Sequence, residues 1–397
     1  MKIPTQSATS IADYKVCPNK YRIKHVLRIR PIEKPDHFRI GTNWHKCLEI
    51  SKLTPGDLCG CVSDPGSPPD PRCPICDGAG AIPEDLRMAL VRYMNAQYEV
   101  CPSAIDAADW EVEKLVLLYS ALGWQWYWQD DQIKTLACEI SFDREVRPGY
   151  RRRGIIDRIL LRDGVLGIGE YKSTGKPIDP GSLFWKPLQK DSQPTLYLIE
   201  ARIMQLAGDL ELYGIKATDP LISGVLYDVW RKPAISPKKL SQADTKKFMV
   251  DGMYFEEKFL FSWEGDTVLI NNVVAETTAG SPPKPTKKNP NPETPFAIRE
   301  TPEMFGARLL ADIRENPEKH FARKPVSRTD LELERADREF GNIHRLAELA
   351  RLRDIWFSNE HQCNATYQCQ FHPICYDSDL ASGEVPEGFR RLDEETH

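Results

Sequence analysis

Residues 154–172 read GIIDRILLRDGVLGIGEYK. Two apolar, β-branched runs flank Asp163-Gly164, a dipeptide suited to a two-residue hairpin turn because both positions accept positive φ. With those two residues as the loop, Arg162 faces Val165, and counting outward sets Asp157 opposite Glu170. Like charges directly opposite on paired strands destabilise a sheet, so such a pair calls for a cation between them. Lys172 follows Glu170 by two residues, and strand alternation puts both side chains on one face. Two carboxylates and an ammonium on one face suit phosphodiester hydrolysis. The carboxylates hold Mg²⁺, which prefers oxygen ligands and keeps several waters. The metal lowers the pKa of a bound water and offsets charge on phosphorus, while the lysine orients the attacking water or stabilises the developing charge. An exposed polar hairpin with accidental charges has the same spacing, so the reading needs support from the rest of the chain.

Outward from that hairpin, strands are expected from Leu136 to Tyr171. Residues 7–50 read as helical, with Gly41-Thr42-Asn43-Trp44-His45 opening a second helix. Residues 54–83 form a Pro-, Gly- and Cys-rich insertion with little apolar content. Helical spacing returns over 84–130, ending in the aromatic cluster Trp124 to Trp128, which reads as core. Residues 193–213 look helical, 222–275 alternate as strands do, and 280–295 (GSPPKPTKKNPNPETP) form a loop or linker. Helical patterns follow near 302–316 and 329–358, and then a Cys-rich tail; there is no internal repeat.

The chain has 397 residues, 28% charged and 41% hydrophobic, ordinary for a soluble globular protein. Its net charge of -5 argues against a protein that coats DNA with its whole surface, but leaves room for a local basic channel. No apolar run suits a bilayer, and the start lacks a signal peptide's apolar segment. A reducing cytoplasm is therefore expected, where the 11 cysteines are better metal ligands than disulfide partners.

His45, at a helix start, would by itself be structural, and Gln193 and Tyr197, four apart on one helix face, a polar surface pair. In order, however, GTNWH, GIIDRI, GEYKST and QPTLY resemble the motifs of the RecB-like branch of the PD-(D/E)XK nucleases, over the stretch from Ser7 to Arg202. The resemblance implies an α/β, restriction-endonuclease-like fold with a mixed central sheet flanked by helices. It implies Asp157 and Glu170 as Mg²⁺ or Mn²⁺ ligands, His45 as an additional ligand, and Lys172 as the catalytic lysine. Gln193 and Tyr197 would line the site or the DNA path.

The tail carries Cys363, Cys369 and Cys375 at even spacing, and Cys17 is the natural fourth ligand. Thiolates select zinc or iron–sulfur centres, and spacing does not choose between them; three unrelated buried cysteines are the plain alternative. The arrangement is similar to that of CRISPR-associated RecB-like and AddB-type nucleases, with one upstream and three C-terminal cysteines on a 4Fe–4S cluster. Here the first C-terminal interval is longer, C-x5-C where the usual one is C-x2-C. Such a cluster would staple the chain ends together. In the insertion, Cys59, Cys61, Cys73 and Cys76 suggest a zinc knuckle, since C-x2-C followed by glycines makes a tight turn; a loop of solvated cysteines is the alternative. Cys47, Cys101 and Cys138 read as small core residues.

Arg151, Arg152 and Arg153 precede the Asp157 strand, and Trp230, Arg231 and Lys232 end a later one. Both groups are candidate phosphate and base contacts, as are Lys238 and Lys239. The expected layout is an N-terminal helical part (1–53), the insertion (54–83), the nuclease core (84–280), a linker (281–298) and a C-terminal part closed by the cluster (299–397). The expected activity is a metal-dependent DNA exonuclease of recombination, repair or phage DNA metabolism. Without a GxxxxGK[ST] fingerprint, an unwinding helicase would be a separate chain. A restriction-like or structure-specific endonuclease and a non-catalytic DNA-binding scaffold are the alternatives.

Overall fold

The Asp163-Gly164 turn forms with φ of 51° and 76°, the paired positive values of a turn matched to strand twist. It joins β2 (Tyr150–Arg162) to β3 (Val165–Thr174), and β1 (Lys134–Arg147) lies antiparallel on the far side of β2. This computed structural model describes residues 5–32, 36–62, 66–265, 267–280, 295–365, 368–376, 380 and 384–392. Most of the expected linker, 281–294, lies outside the described residues.

Two further strands complete a five-stranded mixed sheet in the order β5-β4-β3-β2-β1: β4 (Val225–Arg231), parallel to β3, and β5 (Phe321–Val326), antiparallel to β4. β4 reads as buried from end to end except at Arg231, as expected of a parallel strand covered on both faces. β5 falls between the two expected C-terminal helices and was not anticipated. Its sequence, FARKPV, lacks strand alternation, and Pro325 is tolerated because β5 is an edge strand.

Helices cover both faces. On one side lie α1 (Ala8–Val16), α5 (Ser192–Ala207) and α8 (Asp330–Arg353) over a core that includes Ile159, Ile168, Tyr227 and Leu196. On the other lie α2 (Asp36–Ile50), α3 (Leu86–Gln97), α4 (Ala107–Tyr127) and α7 (Pro302–Glu315), packed around Trp44, Trp124, Trp230 and Phe305. The second helix opens at Asp36, not at Gly41: the apolar stripe Ile40, Trp44, Cys47 and Leu48 is buried as one helical face running through that glycine. The alternating stretch 222–275 is likewise interrupted by α6 (Gln242–Asp251), capped by Ser241 and ended by Gly252. Only Thr245 and Phe248 of α6 are buried, too narrow a face for helical periodicity to show. No described helix is long and apolar enough to cross a membrane.

An N-terminal and a C-terminal segment meet. Ile29–Pro31 pairs antiparallel with Phe389–Arg391, and Ile23, Ile29, Phe371, Ile374 and Leu380 form a small shared core beneath.

Candidate active site

The β2–β3 ladder runs from Arg162↔Val165 to Arg158↔Gly169 and stops one pair short of Asp157 and Glu170. Beyond it, the Tyr171 backbone N–H donates to Asp157 Oδ2 at 2.9 Å. The side chain replaces the ladder bond, and the strands part where the acids stand. Gly169 permits the approach of Arg158: a Cβ there would sit 2.2 Å from Arg158 Nε.

Glu170 has no exposed surface, and its Oε2 has no hydrogen-bond partner among the described residues. Lys172 Nζ lies 2.8 Å from Oε1 as an ion pair. Burial pushes the Glu170 carboxyl up to about 7; Lys172 opposes this and Asp157 adds to it. One lysine therefore leaves a buried pair of acids short of positive charge, and a cation between them would be strongly favoured.

Lys172 is also fixed from α5. Its Nζ donates to Gln193 Oε1 at 2.9 Å and lies 3.4 Å from Asp191 Oδ2. Burial works against its charge, but Glu170 and Asp191 together hold it well above the usual lysine value. Asp191 escaped sequence reading, although its place as N-cap of α5, accepting from the Gln193 N–H, is a recognisable signal. Gln193 also hydrogen-bonds Tyr197, whose phenol is raised by burial and by Glu170 and Asp157.

α2 brings His45 to the same point: Nδ1 lies 3.6 Å from Asp157 Oδ2, and the ring meets Tyr171 edge-on at 5.7 Å. Burial lowers its pKa, but Asp157 and Glu170 outweigh that and raise it. The structure thus gathers His45, Asp157, Glu170, Lys172, Gln193 and Tyr197, and adds Asp191.

The expected DNA contacts divide. Arg152 is 1% exposed and sits among Glu200, Asp337 and the Tyr150 hydroxyl. Trp230 is fully buried, stacked on Trp44 at 4.3 Å. Neither can touch DNA from the core: the guanidinium is occupied by two acids and the indole serves packing. Arg151 is exposed beside Asp143, while Arg153, Arg231 and Lys232 are half-buried and Lys238 and Lys239 exposed. Arg231 pairs in register with Thr174, two residues beyond Lys172, on the same end of the sheet. Of the aromatic cluster expected as core, Trp124 is buried and donates to Asp228 Oδ1 at 3.0 Å, whereas Trp126 is exposed because it faces away from the sheet side of its helix.

Cys17, Cys363, Cys369 and Cys375 line one cleft of roughly 440 Å³. The Cys363 thiol is raised by desolvation and by its three partners. Asn19 Nδ2 donates to Cys375 Sγ at 3.3 Å, and the Lys20 backbone N–H approaches Cys17 Sγ at 3.5 Å. In the insertion, the sulfurs of Cys59, Cys61, Cys73 and Cys76 all lie within 4.8 Å of one another. Of the remaining cysteines, Cys47 is fully buried, and Cys101 and Cys138 are partly so.

Acids that interrupt a strand ladder, beside a lysine and in want of a cation, form an arrangement on this mixed α/β sheet that could hold a divalent metal ion. The sequence model of the PD-(D/E)XK nuclease superfamily matches residues 5–376, and the chain belongs to that superfamily. No curated protein matches it.

Proposed function

We propose that this protein is a Mg²⁺- or Mn²⁺-dependent deoxyribonuclease acting as an exonuclease, of the RecB-like branch. The observation that carries the nuclease reading is Glu170, a fully buried carboxylate beside Asp157 and countered by Lys172. Asp157 and Glu170 offer oxygen donors suited to either ion, and His45 an imidazole suited to Mn²⁺. An ion held there would supply Lewis-acid stabilisation of phosphate charge and make water more acidic.

The chain's own residues do the rest. Lys172, held as an ammonium by Glu170 and Asp191, donates to the attacking water or to a phosphoryl oxygen. Gln193 fixes the lysine on the side where Tyr197 closes the site. Arg151, Arg153, Arg231 and Lys232, at the Lys172 end of the sheet, grip the phosphate backbone.

The exonuclease mode is supported by the ordered motifs shared with RecB-like nucleases. The same resemblance supports a 4Fe–4S cluster on Cys17, Cys363, Cys369 and Cys375, and the residues present fit one. Four thiols face a single cleft that also takes in Lys20 and Lys24, with N–H donors aimed at the sulfurs. Such a cluster is a structural clasp between N- and C-terminal segments that also pair through Ile29–Pro31 and Phe389–Arg391. The setting that suits these properties is a reducing cytoplasm, in recombination, repair or phage DNA metabolism, with any helicase on a separate chain.

A digestion time course tests the reading, using end-labelled single- and double-stranded linear DNA and closed circles, with Mg²⁺, Mn²⁺ or EDTA. Metal-dependent loss of linear DNA with circles spared is expected. Cut circles would replace the exonuclease by an endonuclease, and no cleavage under any condition would overturn the enzyme reading.

A further inference from the structure

We infer that Cys59, Cys61, Cys73 and Cys76 form a structural zinc site, a metal centre separate from the carboxylate site and from the Cys17 cleft. Four thiolates bound tetrahedrally at about 2.3 Å place their sulfurs about 3.8 Å apart. Here Cys59 Sγ and Cys73 Sγ are 3.7 Å apart, Cys61 Sγ and Cys76 Sγ 3.5 Å. Those separations are far beyond the roughly 2.05 Å of a disulfide. They are also too tight for the four corners of a multi-iron cluster, and the roomier Cys17 cleft differs in this respect.

The backbone is arranged for ligation. Cys59 N–H donates to Gly80 O, Asp77 N–H to Cys73 O and Ala79 N–H to Cys76 O, each at 2.9–3.0 Å. The chain turns tightly after Cys76 through positive φ at Asp77 (54°), Gly78 (78°) and Gly80 (76°). This brings the second pair of thiols back over the first.

The energetics require something of this kind. Besides three of the cysteines, the buried apolar side chains among the described residues of the insertion are Val62 and Ile82. A segment of about thirty residues cannot order itself on so little apolar burial, and below about 40 residues metals or disulfides usually take over. Thiolate-rich tetrahedral sites select zinc. The ordered knuckle is tied to α3, where Arg92 donates to Pro74 O at 3.1 Å and to Ile75 O at 2.8 Å. Leu53 and Ile75 belong both to this small core and to the core around Trp44. Zinc therefore holds together the connection between α3 and α2, the helix that carries His45.

Metal content of the full-length protein tests this independently of any nuclease activity. After magnesium is removed, elemental analysis is expected to find one zinc per chain, retained in Asp157→Ala and Cys17→Ser and lost in Cys73→Ser/Cys76→Ser. Should that double variant fail to fold, the wild type serves: a thiol-reactive mercurial should release zinc into a chromophoric indicator. Limited proteolysis should then cut within residues 54–83 while the sheet core survives. Protein purified without zinc, iron in its place, a disulfide among these cysteines, or zinc undiminished in the double variant would each overturn the assignment.

Discussion

Replacing Glu170 by glutamine should abolish cleavage and, in magnesium-free buffer, make the protein more stable. The substitution keeps shape and volume and deletes one charge at a position with no exposed surface. Burial raises the Glu170 pKa from 4.5 to about 7. That corresponds to on the order of 3 kcal/mol of unfavourable ionisation in the folded state. The sign follows from linkage. The folded protein holds this proton to higher pH than the unfolded chain, so the cost is absent below about 4.5, grows as pH rises, and is complete above about 7. The glutamine variant never incurs it, although a buried amide without partners returns about 1–3 kcal/mol. Urea unfolding of both proteins at pH 5 and pH 8 should show a net gain of at most about 2 kcal/mol at pH 8, shrinking towards pH 5. Added Mg²⁺ should stabilise the wild type and not the variant, because only the wild type has the full ligand set. A variant that cleaves DNA normally, or that is less stable than wild type at pH 8, would refute the reading of Glu170 as a metal ligand held at the expense of stability.

Lys172→Met should lower the cleavage rate by about 10²–10³-fold, the scale of one preorganised electrostatic donor, with DNA affinity measured alongside to exclude a binding defect. Asp228→Ala should destabilise by about 3–5 kcal/mol in denaturant melts, because it leaves the buried Arg158 and Arg323 without their shared carboxylate, which lies 3.2 and 2.8 Å away. Gly169→Ala drives a methyl into Arg158 and should cost about 1–3 kcal/mol; an unshifted melt would mean the arginine moves aside freely. Anaerobically purified protein should be brown, and Cys369→Ala should bleach it; colourless wild type would remove the iron–sulfur proposal.

How much of this was legible beforehand differs from element to element. The β2–β3 hairpin was readable to the residue, because Asp163-Gly164 fixes the turn and the turn fixes the register. Not readable was that the ladder stops before Asp157 meets Glu170, since this depends on Asp157 accepting the Tyr171 N–H in place of a backbone bond. The four insertion cysteines could be grouped from their spacing and from the lack of apolar residues around them. That their sulfurs converge is decided by the folded chain.

Arg152 and Arg151 look alike in sequence, and only packing separates them. One turns inward to Glu200 and Asp337, the other outward beside Asp143, since adjacent strand residues face opposite ways. β5 was invisible because an edge strand need not alternate, and Asp191 was passed over because an N-cap aspartate is common and its approach to Lys172 spans 19 residues. Local chemistry, such as turn dipeptides, motif order and ligand spacing, is written along the chain and determined the hairpin, the acids and lysine, and the cysteine sets. Burial, the face a charge occupies and the cation a buried carboxylate needs arise from groups far apart in sequence, and only the folded protein decides them.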